Sequence, residues 1–131
     1  MASFGVTDRV GFQAADFFVD PLPSAEVLIM GQILQDWDLE RRRLLISKAY
    51  AALPDGGALI VYEPMIDDER RHNAFGLLMS LNLQVGLEGG FSATGAEIRG
   101  WLRDAGFRET SLRHLVGTGS TVVWSMVVGV K

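Results

Sequence analysis

The chain has 131 residues, of which 48% are hydrophobic and 21% charged, and this composition is typical of one folded domain and excludes a disordered segment. A formal net charge of −4 argues against a nucleic-acid partner, and the absence of cysteine excludes disulfides, thiolate catalysis and cysteine-bound zinc while fitting a cytoplasmic protein. We also expect no membrane partner and no secretory signal, because the longest apolar stretch, around Val122–Val130, is too short to cross a bilayer as a helix and no basic segment precedes an apolar core.

The first half of the chain contains three predicted strands and one predicted helix. A short strand is predicted at Val10–Ala14. The continuous apolar runs within Glu26–Met30 and Ala58–Tyr62 are typical of strands buried on both faces of a parallel sheet. Between these two strands, apolar residues at i, i+4, i+7 and i+8 predict an amphipathic helix over Leu39–Leu53.

The second half contains two predicted helices followed by two strands. The helices are Asp67–Val85 and Gly95–Ala105, and the second begins with a Thr-to-Glu capping box. The strands Phe107–Leu115 and Thr121–Val130 are joined by Gly117–Gly119, which predicts an antiparallel hairpin. Strands and helices that alternate along the chain predict an α/β fold with parallel crossovers, and the hairpin predicts an antiparallel strand at one edge of the sheet.

The sequence around the start of the first helix is strongly charged. Asp36 and Asp38 bracket Trp37, and both aspartates are candidate N-caps. The basic run Arg41–Arg43 follows among acidic residues, and we interpret it as a solvated helix face.

Polar side chains follow three of the predicted strands where each strand ends. Asp16 follows the first strand, Gln35 and Asp36 follow the second, and Glu63 follows the third. Ligands of open α/β sheets bind beyond the carboxyl ends of the strands, so we expect Asp16, Gln35 and Glu63 to border one crevice. Asp16 and Asp36 are equally good turn or cap residues, whereas a carboxylate at a buried strand end, as at Glu63, needs a partner or a function.

Other chemistries receive little support from the sequence. Asp67–Glu69 and His72 have a spacing that could hold a metal, but carboxylates at the start of a helix are far more often solvated, so we predict no metal site. No serine has a neighbouring base in the sequence, which gives no support to a hydrolase triad.

Several segments of the chain, in this order, resemble small-molecule O-methyltransferases, the kind that modify plant phenylpropanoids and bacterial antibiotics. The segments are Asp16–Phe18, Pro21–Pro23, Val27–Asp38, Leu53–Gly57, Val61–Glu63, Leu77–Asn82 and Gly106–Phe107. The resemblance covers nearly the whole chain, and its most specific part is the Asp-Trp helix start combined with the Pro-Asp-Gly-Gly turn.

The resemblance implies a Rossmann-like fold that binds S-adenosylmethionine and methylates a hydroxyl of a small aromatic or polyketide-like acceptor. By position, Asp16 and Phe17 match the pair that meets the adenine ring. Gly31 stands where some relatives place a lysine near the cofactor. Met79 and Asn82 match residues of the acceptor pocket.

The resemblance also assigns catalytic positions, and here the chain departs from the family. Gln35, directly before Asp36 and Trp37, stands where the family has its catalytic histidine, and Glu63 matches the acid that orients that histidine. An amide cannot accept a phenolic proton at neutral pH, so we expect weak or no methyl transfer unless the acceptor is already acidic and proximity suffices. A second acidic helper of the plant enzymes falls at Ser92.

The resemblance places residues 1–131 in the C-terminal part of one methyltransferase domain. The family sheet has the strand order 3-2-1-4-5-7-6, and this chain would supply strands 3, 4, 5, 6 and 7 without the glycine-rich cofactor loop or the N-terminal dimerisation domain. Glu26–Met30 would then be an apolar edge strand. We predict that Val10–Ala14 pairs with it or that two chains join there as a homodimer. The alternative to an enzyme is a non-catalytic, dimer-forming α/β module.

Overall fold

The computed structural model describes residue 5 and residues 8–115 and 124–131. A short 3-10 turn, Leu34–Asp36, follows the first strand. The other elements, in chain order, are β1 Val27–Gly31, α1 Leu39–Ala52, β2 Ala58–Glu63, α2 Ala74–Gly86, α3 Gly95–Asp104, β3 Glu109–Leu115 and β4 Trp124–Val130. The predicted α/β class is confirmed.

The four strands of the described residues form one sheet in the order β1-β2-β4-β3. β1 and β2 are parallel, with Val27 opposite Ala58, and β4 runs antiparallel to both of its neighbours. The hairpin of β3 and β4 is confirmed, and its predicted turn at Gly117–Gly119 lies outside the described residues. The hairpin lies at one edge of the sheet, where the edge strand β3 pairs antiparallel with β4, and β4 is the second strand from that edge. This order matches strands 4-5-7-6 of the sheet that the resemblance implies, and the expected strand 3 is absent from the described residues.

The predicted strand at Val10–Ala14 was wrong, and so was its pairing with the Glu26–Met30 segment. Residues 10–14 form no strand and are exposed, with Phe12 at 83% exposure. A strand gains stability from burying one face against a neighbour, and these residues bury neither face. The outer edge of β1 therefore pairs with no strand among the residues that the structure describes.

The core lies between the sheet and the pair of helices α1 and α3. Leu59 and Val61 of β2 and Val127 of β4 are fully buried, and they belong to one hydrophobic cluster with Leu45 of α1 and Leu102 of α3. Side chains alternate between the faces of a strand, so the neighbouring residues point to the other face of the sheet. On that face the apolar side chains remain partly exposed.

The helix that was predicted to begin at Asp67 begins seven residues later, at Ala74. The Asp67 carboxylate accepts hydrogen bonds from the backbone N–H groups of Arg71, His72 and Asn73, and these bonds hold the segment in turns. Asn73 is the N-cap of α2, because its side chain accepts from the N–H of Gly76. An aspartate side chain that binds nearby backbone N–H groups competes with helix formation.

The starts of the other two helices follow the sequence more closely. The predicted capping box of α3 is confirmed, with reciprocal bonds between Thr94 and Glu97. Asp38 is the N-cap of α1 and accepts from the N–H of Arg41. Asp36 lies in the 3-10 turn and does not cap α1. The N-cap at Asp38 therefore fixes where α1 begins after β1, at the carboxyl edge of the sheet.

Candidate active site

Gln35 and Glu63 meet at the carboxyl ends of the neighbouring parallel strands β1 and β2. Both residues are buried, Gln35 at 7% and Glu63 at 2% exposure. The backbone N–H of Gln35 donates a hydrogen bond of 3.1 Å to Oε2 of Glu63. The sequence predicted that these two residues border one crevice, and the structure brings them together.

The ionisation of Glu63 is strongly perturbed by this position. Burial raises the pKa of Glu63 to about 7, against the lowering effects of the Gln35 N–H and the positive charge of Arg42. Partial burial also raises the pKa of Asp36, and Arg42 opposes it. A carboxyl group whose pKa lies near neutrality can gain and lose a proton under physiological conditions, as a general acid or base must.

The interpretation of Arg41–Arg43 as a solvated helix face was wrong for its middle residue. Arg41 and Arg43 are exposed, but Arg42 is fully buried. Its Nε donates to the backbone oxygen of Trp37 at 2.8 Å, and its Nη2 donates to the backbone oxygens of Gln35 and Phe91 at 3.2 and 2.5 Å. Burial lowers the pKa of Arg42 to about 10, so the guanidinium remains charged at neutral pH.

The sequence contained a signal for this burial. Arg42 lies three residues before Leu45, four before Ile46 and seven before Ala49, all of which are buried, and it therefore belongs to the apolar stripe of α1. A charged residue on the apolar stripe of a helix can be buried when the interior offers enough hydrogen-bond acceptors, as the three carbonyls do here.

Four buried polar atoms around this site have no hydrogen-bond partner among the described residues. They are Oε1 of Gln35, Nη1 of Arg42, Oε1 of Glu63 and Oγ of Ser92. Buried polar groups are almost always satisfied in folded proteins, so four such atoms on residues of one region distinguish it from the rest of the core.

Ser92 connects this region to α2. Its backbone N–H donates to Oγ of Ser80 on α2 at 3.1 Å. Met79, one of the two predicted acceptor-pocket residues, is half-buried, whereas Asn82 is exposed. No hydrogen bond of the described residues joins either side chain to Gln35 or Glu63, so their part in a pocket stays a prediction.

Phe17 lies near the carboxyl end of β1, where it lines a cavity with Met30 and Ile33, and Asp16 precedes it in the chain. The Asp16 carboxylate is exposed and accepts from the N–H of Phe18, and its own N–H donates to Asp20, so Asp16 also organises a local turn. The Phe17 ring lies 6.1 Å from that of Trp37. Among the described residues, Asp16 makes no hydrogen bond to Gln35 or Glu63, and the predicted crevice therefore shows two of its three residues in direct contact.

An apolar cavity of about 180 Å³ lies next to Phe17. It is lined by Phe17, Leu22, Leu28, Ile29, Met30, Ile33 and Leu45. The cavity therefore lies beside β1, and Asp16 precedes Phe17 in the chain without lining the cavity. An apolar cavity of this kind can hold a flat heteroaromatic ring.

Gly31 ends β1 where the strand faces Tyr62 of β2. A Cβ atom at Gly31 would overlap the Tyr62 ring. Any side chain at this position would require Tyr62 to move. The role of Gly31 near a cofactor stays a prediction.

Within the described residues, no group of three or more His, Asp or Glu side chains is placed to hold a metal ion. Asp67 serves its own turn, where the backbone N–H groups of Arg71, Asn73 and His72 lower its pKa to about 2. His114 shares a 2.9 Å hydrogen bond with Ser125 across the hairpin. No helix in these parts of the chain combines the length and the hydropathy that crossing a membrane requires.

Comparison with known proteins explains this arrangement. The sequence profile of the O-methyltransferase domain matches residues 1–108. The chain is 43% identical over 123 residues to the tetracenomycin polyketide synthesis 8-O-methyl transferase of Streptomyces glaucescens. This match covers 94% of this chain and 36% of that protein. It is 39% identical to the 3-hydroxy-5-methyl-1-naphthoate 3-O-methyltransferase of Streptomyces sahachiroi, over 100% of this chain and 37% of that protein.

The fold agrees with this family. Human N-acetylserotonin methyltransferase, solved in complex with S-adenosylmethionine, superposes on 98% of this chain with a TM-score of 0.81 and 29% identity, and the match covers 37% of that structure. The fold is thus part of a Rossmann-like S-adenosylmethionine-dependent methyltransferase fold. The chain belongs to the O-methyltransferase family, and it spans little more than a third of the length of the relatives it matches.

Proposed function

We propose that the protein containing this domain transfers a methyl group from S-adenosylmethionine to a hydroxyl of a small aromatic or polyketide-like acceptor. The observation that carries the proposal is the buried pair of Gln35 and Glu63 at the carboxyl ends of β1 and β2. The names of the Streptomyces relatives, which act on a polyketide and on a hydroxynaphthoate, support this class of acceptor. We further propose that the protein acts in the cytoplasm, which the absence of cysteine supports.

Asp16 and Phe17, near the carboxyl end of β1, fit the adenosine end of the cofactor. The apolar cavity beside Phe17 suits the adenine ring, and Asp16 supplies an acceptor for its amino group. When bound, S-adenosylmethionine supplies an electrophilic methyl group to the acceptor oxygen. Met79 and Asn82 on α2 are proposed to contact the acceptor, and Gly31 to border the cofactor.

Gln35 and Glu63 have different roles toward the acceptor hydroxyl. The amide of Gln35 can orient the hydroxyl through a hydrogen bond but cannot hold its proton. Glu63, with a pKa of about 7, is the member of the pair that can hold a proton near neutral pH. An acceptor whose hydroxyl is already acidic needs least help, so we expect such acceptors to be preferred.

Isothermal titration calorimetry tests the proposal. S-adenosylhomocysteine should bind at a single site to the protein that contains this domain, and a Phe17→Ala variant of that protein should bind it more weakly. Phe12→Ala is the matched control, because Phe12 is a phenylalanine of the same region that is 83% exposed. Equal binding by both variants would remove Phe17 from the cofactor site, and no binding by any form of the protein would reject the proposal.

Restoring a histidine at Gln35 should raise methyl transfer to weakly acidic phenols. A positioned general base contributes about 10²- to 10⁴-fold, so kcat/KM of a Gln35→His variant of the enzyme should rise by at least about tenfold with such acceptors. The measurement is the transfer of a labelled methyl group. Acceptors with strongly acidic hydroxyls serve as the control, because they should show little change. An unchanged rate with the weakly acidic phenols would show that proton abstraction does not limit the reaction.

A second candidate function, a dimer-forming module, is supported by the free edge of β1. Val27 and Ile29 on this strand are 49% and 63% exposed, although both are apolar. An uncovered apolar edge strand is a template for pairing with another chain. We therefore propose that this chain, by itself, forms a homodimer through the β1 edge.

An Ile29→Lys variant should be monomeric under conditions in which the natural chain is a dimer, because lysine on an edge strand opposes edge-to-edge pairing. Sedimentation velocity at matched concentrations measures the change. Leu78→Lys is the control, because Leu78 on α2 is equally apolar and 67% exposed. Dissociation by Leu78→Lys alone would move the interface to α2, and a natural chain that sediments as a monomer would reject the homodimer.

A further inference from the structure

The guanidinium of Arg42 joins two segments that are far apart in the sequence. Through the backbone oxygens of Gln35 and Trp37 it binds the turn between β1 and α1, and through that of Phe91 it binds the segment that follows α2. The same two segments are also linked by the N–H of Phe91, which donates to the oxygen of Gln35 at 2.9 Å. One buried side chain, that of Arg42, thus holds the backbone of Gln35 in place.

Two aromatic rings enclose this guanidinium. Its central carbon lies 3.5 Å from the centroid of the Phe91 ring and 5.5 Å from that of Trp101. The planar fork of arginine can stack on rings and donate in its own plane simultaneously, which lysine cannot do. The contact is therefore specific for arginine and not merely for a positive charge.

The charge of Arg42 has no carboxylate within salt-bridge distance among the described residues, since its three acceptors are neutral carbonyls. The acidic groups that act on it from the surrounding elements are, in order, Glu63 of β2, Glu97 of α3, and Asp36 and Asp38 before α1. Glu97 is engaged by Arg70 at 2.8 Å and by the N–H of Thr94, and Asp38 caps α1. Of the remaining two, Asp36 is only half-buried, and Glu63 is the buried carboxyl that interacts with this charge.

We propose that Arg42 is a positioning residue of the methyl-transfer site, because its guanidinium fixes the backbone of Gln35, whose N–H in turn donates to the Glu63 carboxylate. The assignment to that site rests on the proposed function, whereas the fixing of Gln35 and the effect of the buried charge on Glu63 do not. Arg42 does not need to touch the acceptor, because it acts through Gln35 and Glu63. Without its charge, the proton on Glu63 would be lost only at higher pH.

The charge effect is tested on the titration of Glu63, followed by carbon-13 NMR of glutamate carboxyl groups, with the signal assigned by its loss in Glu63→Gln. The midpoint should lie near pH 7 in the natural chain. In Arg42→Met it should rise by about one pH unit, since a nearby opposite charge commonly lowers a carboxyl pKa by that amount or more. Arg43→Met is the matched control, because Arg43 is exposed and should leave the midpoint unchanged. A folded Arg42→Met variant with an unchanged midpoint would overturn the charge effect.

The positioning effect is tested with Arg42→Lys, which keeps the charge and loses the fork, and which also decides the case if Arg42→Met does not fold. Hydrogen exchange of the Phe91 amide should be about tenfold faster in Arg42→Lys and unchanged in Arg43→Lys, corresponding to about 1.4 kcal/mol of local opening. Equal exchange rates in the two variants would overturn the positioning effect. Neither measurement involves cofactor or methyl transfer, so loss of transfer with both effects intact would reject the proposed function alone.

Discussion

The natural chain should lose about 3 kcal/mol of stability as the pH rises from about 4.5 to about 7, and a Glu63→Gln variant should not show this loss. Burial raises the pKa of Glu63 from 4.5 in the unfolded chain to about 7 in the folded one. Below pH 4.5 the carboxyl is neutral in both states and costs nothing. As the pH rises through the folded value, the unfolded chain binds fewer protons than the folded chain, and the stability contributed by the neutral carboxyl is lost.

Urea denaturation at pH 5 and pH 8 measures this difference for the natural chain and for Glu63→Gln. The neutral amide should make the variant the more stable of the two at pH 8, with little difference at the lower pH. Glu109→Gln is the control, because Glu109 is an exposed glutamate at the start of β3 and its replacement should leave the pH dependence intact. If the natural chain and Glu63→Gln lose stability in parallel between the two pH values, Glu63 does not carry the effect.

An Arg42→Ala variant should be less stable by about 3 to 5 kcal/mol, the second large effect. Truncation removes the donor from the backbone oxygens of Trp37 and Phe91 and leaves a cavity between the Phe91 and Trp101 rings. It also removes the positive charge that favours ionised Glu63. The free energy of unfolding at pH 7, from urea denaturation, measures the loss.

Arg43→Ala provides the comparison, because the neighbouring arginine makes only an exposed ion pair of 4.0 Å with Asp104. Its replacement should change the stability by no more than about 0.5 kcal/mol. Similar losses in the two variants would mean that Arg42 is no more important to the fold than a surface arginine.

The elements that sequence patterns predicted correctly are those whose local signals agree with their tertiary surroundings. The Thr94 capping box and the apolar runs of β1 and β2 place α3 and the parallel pair close to their observed bounds. The start of α2 was missed because Asp67, a good residue for a first helical turn, instead binds three backbone N–H groups in a preceding turn. Both uses of an aspartate side chain satisfy backbone donors, and the sequence alone does not distinguish them.

The remaining misses concern contacts between distant parts of the chain. Val10–Ala14 has a plausible strand composition, but no neighbouring strand or helix buries it. Arg42 was assigned to solvent because of its charged neighbours, although its spacing from Leu45 and Ala49 places it on the buried stripe of α1. The acceptors that make this burial possible include Phe91, which is 49 residues away, and no local pattern indicates such a contact.

The candidate site was predicted in part. Gln35 and Glu63 follow two strands that are parallel neighbours, and this topology alone brings their residues to one edge of the sheet. Asp16 was included because it was expected to follow a strand. Since that strand does not exist, Asp16 reaches the region through the packing of Phe17 and Phe18 on Trp37.

The position of β4 has a consequence for biosynthesis. β4 lies between β2 and β3, although it follows both of them in the chain. Until residues 124–130 leave the ribosome, β2 can pair only with β1, β3 lacks the strand that pairs with it, and Leu59 and Val61 lack Val127 beside them. At translation rates of about 5 to 20 residues per second, the nascent chain therefore presents an open apolar surface to chaperones until its last strand is made. A premature stop codon just before Trp124 would remove the central tie of the sheet and abolish folding.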